Sequence, residues 1–313
     1  MTPTLRLLPF LGLLVLLEGH ARAAADCFPV NYYGTYSIGR KAGDAKLPLG
    51  ERLQELKQLG GNMVVGTGDN REVLDVLPPG VLGVPGCGLM GRDDWQVNGS
   101  WNETHARERL ATLAQRFAND PRVFGVCITH EVTEYADHAR RRWMYQLAKE
   151  YFPKKKVIQY YGRLWDDVNP KHKKTWGYGL DGEIETDILF VSVQAVHKGH
   201  FDPDKVKKLQ EVLRDAVRTP DVPVWVQTSI NADHKYVNGP RSMITVWGKD
   251  GENMTAWTDA LFRTVHRDDA GHAVRLSGFF WRSFGRFPFD LGYPAFTAQR
   301  SQMSVIGRKR CPS

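Results

Sequence analysis

The sequence predicts a single α/β domain folded as a (β/α)8 TIM barrel. Eight short apolar segments, rich in β-branched and aromatic residues, recur along the chain, and the stretches between them are long enough for crossover connections. No β-hairpin signal joins any two of these segments, so a parallel sheet is expected. The barrel is predicted to span residues 26–313, a size at which such barrels fold as one unit.

The competing fold class is an open, doubly wound sheet. That fold usually carries a G-x-G-x-x-G turn after its first strand, where a dinucleotide binds. The nearest pattern here, Gly66-Thr67-Gly68, is not followed by a glycine at the required spacing. The sequence therefore favours the closed barrel, and no organic cofactor is expected.

Each predicted strand is a mainly apolar run, as is typical of strands that are buried on both faces. The predicted strands are 27–36, 62–69, 81–87, 123–129, 155–161, 187–196, 222–230 and 276–283.

Helices are predicted where apolar residues recur three or four positions apart. In the first helix Leu49, Leu53 and Leu56 lie on one face, and Gly60-Gly61 ends it. The predicted helices are 49–59, 70–77, 103–119, 136–151, 204–217 and 255–266.

The first 25 residues are predicted to be a secretory signal peptide. Arg6 precedes an apolar run over residues 7–17, and Ala21-Arg22-Ala23 has the small-x-small pattern of a cleavage site. The run is short for a membrane span, although an uncleaved anchor is the alternative. We therefore expect a secreted chain, in the extracellular space or the lumen of the secretory pathway.

The cysteine content is consistent with export. There are four cysteines, and Cys27 and Cys311 lie near the two ends of the barrel domain, which meet in space in this fold. These two are predicted to form a disulfide. Cys87 and Cys127 fall on adjacent predicted strands, where they either pair or remain buried thiols. Their spacing suits no zinc site.

Three sequons predict N-glycosylation in a eukaryotic host, at Asn98, Asn102 and Asn253. The first two predict an exposed loop over residues 93–104. The formal net charge is +7, but the basic residues occur in short groups with acidic residues between them. Solvated helix faces explain this pattern, and no nucleic-acid motif accompanies it. An anionic polysaccharide is the less favoured partner.

The fourth predicted strand ends abruptly in ionisable residues, His130, Glu131 and Glu134. In parallel α/β proteins, ligands bind at the carboxyl ends of the strands. Glu131 and Glu134 are therefore the candidate catalytic residues. Helix capping or ion pairing is the alternative role for either carboxylate.

The other strand exits supply aromatic, amide and charged side chains, which suit a sugar site because pyranose rings stack on aromatics and hydroxyls bond to amides. The candidate substrate-binding residues are Asn31, Tyr33, Asp69, His130, Tyr160, Gln194, Gln227, Asn231, Trp281 and Arg282.

Two segments resemble the retaining (β/α)8 glycoside hydrolases of the large glutamate-based clan. Thr129-His130-Glu131 is similar to the clan's acid/base segment at the end of strand four, and Phe279-Phe280-Trp281 is similar to its tryptophan segment at the end of strand eight. The resemblance implies that Glu131 is the general acid/base, that Trp281 is a sugar platform and that the substrate is a glycan. Core packing is the alternative role for Trp281.

The sequence departs from this clan at strand seven. The clan's nucleophile is a glutamate at that exit, whereas this chain has Gln227 and then Asn231. Three accounts stay open. In the first, a second carboxylate serves in an inverting arrangement; it is Glu134, Asp69 or one within residues 181–185. In the second, a substrate group or water replaces the nucleophile. In the third, the barrel is silent and binds a glycan or an extracellular partner.

Two metal-dependent classes are disfavoured. The run from His130 to Glu134 is not H-E-x-x-H, and His138 lies at the wrong offset, which argues against a zinc peptidase. A phosphodiesterase on this barrel requires paired histidines or a set of metal-binding carboxylates, and the strand exits show neither. No metal is expected.

Overall fold

The computed structural model describes residues 30–36, 48–67, 71–132, 135–163, 183–192, 196–197, 200–201, 223–230, 252–265, 275–283 and 297–310. Several predictions fall outside these ranges: Cys27, Asp69, Glu134, Gln194, Asn231, Cys311 and the helix at 204–217.

The main sheet of the described residues has eight parallel strands. They are β1 (Tyr32–Tyr36), β2 (Met63–Thr67), β3 (Leu82–Cys87), β4 (Gly125–Cys127), β5 (Lys156–Arg163), β6 (Ile188–Ser192), β7 (Pro223–Ile230) and β8 (Arg275–Ser283). Their order is β3-β2-β1-β8-β7-β6-β5-β4, so the last strand lies beside the first. This order confirms the predicted barrel.

The barrel closes where β3 meets the segment that leads into β4. The backbone N–H of Gly83 donates to the carbonyl of Arg122 at 2.8 Å, and the N–H of Phe124 donates to the carbonyl of Gly83 at 2.9 Å. A disulfide joins Cys87 to Cys127 across the same seam. Of the two alternatives that the sequence left open for these cysteines, the structure therefore shows the pair.

The barrel interior is packed with side chains. Tyr36 on β1 contacts Phe190 on β6, with ring centroids 5.6 Å apart, and Tyr32 contacts Trp225 on β7 at 5.6 Å. These strands are not neighbours in the sheet, so the rings meet across the barrel. Alternate residues point outwards, because side chains alternate between the faces of a strand, and they pack under the helices.

The helices of the described residues are α1 (Leu49–Gln58), α2 (Arg71–Asp75), α3 (Arg92–Trp95), α4 (Glu103–Phe117), α5 (His138–Tyr151), α6 (Glu252–Val265) and α7 (Thr297–Arg308). The sequence did not predict α7. Within the described ranges, no helix is both long enough and apolar enough to cross a membrane.

The sequons lie at three kinds of position. Asn98 is exposed at the turn of a short antiparallel ribbon, Gln96–Val97 with Ser100–Trp101, and has a φ of 52°. Asn102 caps α4, because its side chain accepts a hydrogen bond from the N–H of His105 at 2.9 Å. Asn253 lies in the first turn of α6.

Candidate functional site

Glu131 lies just beyond the carboxyl end of β4. The chain leaves the strand through Ile128 and Thr129 and turns sharply, since Glu131 has a left-handed φ of 51°. About a third of its side chain is exposed, at 32%. A non-glycine residue in this conformation is uncommon, and such residues cluster at functional sites.

Glu131 packs against the end of β5. Gly162 also has a positive φ, 67°, and the pairing of β5 with β6 shifts register between Tyr160 and Arg163. A Cβ added to Gly162 would lie 2.8 Å from Cγ of Glu131. The missing side chain of Gly162 therefore makes the space in which the methylene groups of Glu131 lie.

His130 lies between Glu131 and the barrel interior. Its Nδ1 is 4.0 Å from Oε2 of Glu131, and 40% of its side chain is exposed. Its ring centroid is 5.2 Å from that of Tyr160. His130 thus connects the exposed carboxylate with the buried aromatic layer below it.

Below His130 is a buried polar group. The amide Nε2 of Gln227 donates to the hydroxyl of Tyr160 at 2.9 Å and also contacts Oγ of Ser192. Gln227, Tyr160 and Ser192 are fully buried. Among the described residues, Oε1 of Gln227 has no hydrogen-bond partner. The predicted residues His130, Glu131, Tyr160 and Gln227 therefore form one connected set.

Tyr33 and Trp281 lie elsewhere, in the layer between the barrel and α7. Nε1 of Trp281 donates to the hydroxyl of Tyr33 at 2.7 Å, and that hydroxyl donates to the carbonyl of Met303 at 2.9 Å. Both side chains are fully buried, and burial raises the pKa of Tyr33. The structure thus corresponds to the core-packing alternative for Trp281, and we leave both residues out of the candidate site.

Asn31 and Arg282 are placed differently again. Asn31 precedes β1, and its carbonyl accepts hydrogen bonds from Asn62 at 2.9 Å and Arg310 at 3.1 Å. Because β1 runs from Tyr32 to Tyr36, Asn31 lies at the amino end of the strand, opposite the mouth, and it also leaves the candidate site. The backbone of Arg282 pairs with Tyr36 near the carboxyl end of β8, and its side chain is outside the description.

Residues 181–185 were one of the alternative sources of a second carboxylate, but Glu185 in this segment is buried under α5. Its Oε2 accepts from Nε of Arg141 at 2.8 Å and from the hydroxyl of Tyr161 at 3.0 Å, and its Oε1 lies 2.5 Å from Nδ1 of His138. Tyr161 belongs to the outer layer. Glu185 is therefore paired outside the barrel interior and does not supply the second carboxylate of the site.

Sequence reasoning missed this ion-pair network. The available signal was Arg141, which falls on the helix face that Met144 and Ala148 bury, so a charged residue occupies an apolar stripe. The second acidic residue of the segment, Glu183, pairs with Arg142. Within the described residues, no group of three histidine, cysteine or acidic side chains lies close enough together to hold a metal ion.

Comparison with solved structures finds glycoside hydrolases. The chain aligns with a GH2 β-galacturonidase from Eisenbergiella tayi at a TM-score of 0.55 and 14% identity, over 85% of this chain and 49% of that one. For a β-D-glucuronidase of Dictyoglomus thermophilum the TM-score is 0.53 at 15% identity, over 81% and 43%. For a GH113 β-1,4-mannanase it is 0.50 at 9% identity, over 91% and 100%.

The chain thus spans less than half the length of the two uronidases and the full length of the mannanase. The sequence matches no protein-family model, and no curated protein matches it closely enough to indicate a relationship. At such low identities the similarity is one of fold. The chain has the (β/α)8 barrel fold that these glycoside hydrolases share.

Proposed function

We propose that the protein is a secreted glycoside hydrolase that binds a glycan at the carboxyl ends of the barrel strands, with Glu131 as general acid. The observation that carries the proposal is the position of Glu131, which is partly exposed beyond β4 and held between His130 and Gly162. A carboxylic acid at this position is suited to protonating the glycosidic oxygen as the bond breaks.

The remainder of the mechanism differs from the double displacement of the glutamate-based clan. Gln227, which was predicted to lie at the strand-seven exit, lies within β7 and is fully buried, and its amide donates to Tyr160. An amide cannot form a glycosyl ester. We therefore propose a direct displacement by water, in which a second carboxylate acts as the base. Glu134, Asp69 and Asp181 are the candidates for that base, since Glu185 is paired with Arg141 and Glu183 with Arg142.

The amide of Gln227 also favours a second candidate function, a catalytically silent barrel that binds glycans. A buried amide held by Tyr160 and Ser192 gives the interior a fixed polar structure without the charge that covalent catalysis requires. Such a protein would bind sugars at the same mouth and release no product.

The test compares the purified mature protein with E131Q and with E108Q, a control that removes an exposed carboxylate from α4. Reducing-end release is measured on β-mannan, β-glucuronides, β-galacturonides and a broad panel of neutral glycans. Removing a general acid should lower turnover by roughly 10²–10⁴-fold, whereas E108Q should match the wild type. The anomer released first, followed by NMR, distinguishes inversion from retention.

Unchanged turnover by E131Q would show that Glu131 is not the acid. If all three proteins release nothing but retain affinity for the same glycan, the binding barrel is the correct function. Equal loss of turnover in E131Q and E108Q would trace the effect to folding, and a thermal melt of each variant identifies that case.

A further inference from the structure

We propose that a groove on the outside of the barrel, between α7 and the end of α1, binds the sulfate or carboxylate groups of an acidic polysaccharide. The groove has a volume of about 350 Å³ and is lined by Leu59, Arg300, Ser301, Ser304, Val305 and Arg308. It is separate from the candidate site at Glu131 and does not depend on the proposed activity.

Three of these residues are spaced for joint contact with one anion. Arg300, Ser304 and Arg308 are four residues apart, so they lie along one face of α7. At a rise of about 1.5 Å per residue, each arginine Cα is about 6 Å along the helix from that of Ser304. Both arginine side chains are long enough to bring their guanidinium groups over the serine.

Ser304 supplies a second, independent observation. The residue is 8% exposed, and its Oγ has no hydrogen-bond partner among the described residues. A buried hydroxyl without a partner costs free energy, and an anionic oxygen would accept its hydrogen bond. Together with the guanidinium groups of Arg300 and Arg308, this hydroxyl gives the groove lining hydrogen-bond donors for an anion.

The surrounding charge favours an anion. The segment from Thr297 to Arg310 contains four basic residues and no acidic one. One acidic residue that interacts with this groove is Glu55 of α1, whose pKa is raised by burial and lowered by Arg300. A bound anion would compete with Glu55 for that arginine, so neutralising Glu55 should strengthen binding.

The apolar part of the lining indicates an anion carried on a larger molecule. The groove lining also includes Leu59 and Val305, and Val305 is 38% exposed. Apolar side chains suit the C–H face of a sugar ring, while the planar forks of Arg300 and Arg308 suit bidentate contacts to sulfate or carboxylate. A sulfated or uronate-containing polysaccharide has both features.

The probe is heparin, a sulfated polysaccharide, and its affinity for the full chain is measured by calorimetry at low and physiological salt. R300A and R308A should each weaken binding at least tenfold, E55Q should strengthen it several-fold, and K154A, an exposed control with the same charge change, should leave it within twofold. S304A should weaken binding about threefold without lowering Tm, because the hydroxyl that it removes has no partner in the fold.

R300K and R308K retain the charge and keep the experiment decisive if an alanine variant fails to fold. They should bind less tightly than the wild type, because lysine lacks the planar fork. Equal losses in R300A, R308A and K154A would overturn the proposal, since they would show diffuse attraction to a basic surface. If inorganic sulfate binds the groove as tightly as heparin does, per sulfate group, the ligand is a free oxyanion, and the assignment to a polysaccharide is wrong.

Discussion

Gly162 at the end of β5 leaves the space that the side chain of Glu131 occupies. A Cβ at Gly162 would lie 2.8 Å from Cγ of Glu131 and 3.3 Å from its Cβ, and the backbone at Gly162 has a φ of 67°. The two positive-φ residues thus fit together across the gap between β4 and β5. The absence of a side chain at Gly162 therefore sets the space that the methylene groups of Glu131 fill.

Replacing Gly162 with alanine should therefore move Glu131. G162A combines the strain of a left-handed alanine with a collision, and we expect a loss of roughly 1–3 kcal/mol in the free energy of unfolding. G80A is the matched control, because Gly80 has a φ of 80° but nothing within 4 Å of an added Cβ. Urea denaturation of both variants isolates the collision, and equal losses would mean that Glu131 does not press on Gly162.

The disulfide at the seam should contribute substantially to stability. Cys87 and Cys127 are 40 residues apart, and the chain-entropy model assigns a loop of that length about 4 kcal/mol. C87A/C127A should lower the free energy of unfolding by about this amount, and reductant should lower that of the wild type at least as much, because it would also break the predicted Cys27–Cys311 bond. Identical denaturation curves with and without reductant would contradict this prediction.

The strands were predictable from sequence because each is a long apolar run. Whether a given side chain points into the barrel or outwards towards the helices was not predictable. Phe279, Phe280 and Trp281 are three consecutive aromatics, so the period of two that marks the buried face is hidden. The structure places Phe280 inside the barrel and its two neighbours outside.

The sequence did not predict α7, and this explains why Tyr33 and Trp281 were considered as substrate-binding residues. Met303 and Ile306 are the large aliphatic side chains that α7 buries fully, which is a weak periodic signal. Without α7, the sequence offered no named packing partner for Tyr33, and for Trp281 it left core packing and a sugar platform both open. The pairing of Arg141 with Glu185 was equally inaccessible, because it joins residues 44 apart and depends on how the barrel packs.

Asp120 should make stability depend on acid pH. Its carboxylate accepts hydrogen bonds from the backbone N–H and side chain of Arg122, which lower its pKa to about 2. Because the pKa is lower in the folded state, the stabilisation is present above about pH 4 and is lost as the pH falls towards 2. D120N should unfold at lower urea than the wild type at pH 6, and most of the difference should be lost by pH 2.

A constant difference between D120N and the wild type at every pH would show that Asp120 acts through packing and not through its charge. D75N is a suitable control, since Asp75 also contacts Arg122 but is half exposed at 51%. Its effect should be smaller at every pH, because exposed ion pairs contribute little.

The buried pair of Arg141 and Glu185 should show strong coupling. Both side chains are at most 1% exposed, so removing one leaves the other charged and buried, at a cost of roughly 3–5 kcal/mol. E185Q and R141M should each destabilise the protein by this amount, and the double variant should lose much less than the sum. Strictly additive losses would contradict a direct ion pair. The exposed pair of Arg107 and Glu150 is the control, and its cycle should show weak coupling, because water screens both partners.

Arg141 also donates to the carbonyl of Ala136 at 2.9 Å, in the connection that leads from Glu131 to α5. Loss of the pair should therefore loosen that connection before the barrel unfolds, which hydrogen exchange of the Ala136 amide would detect as faster exchange in E185Q than in E150Q.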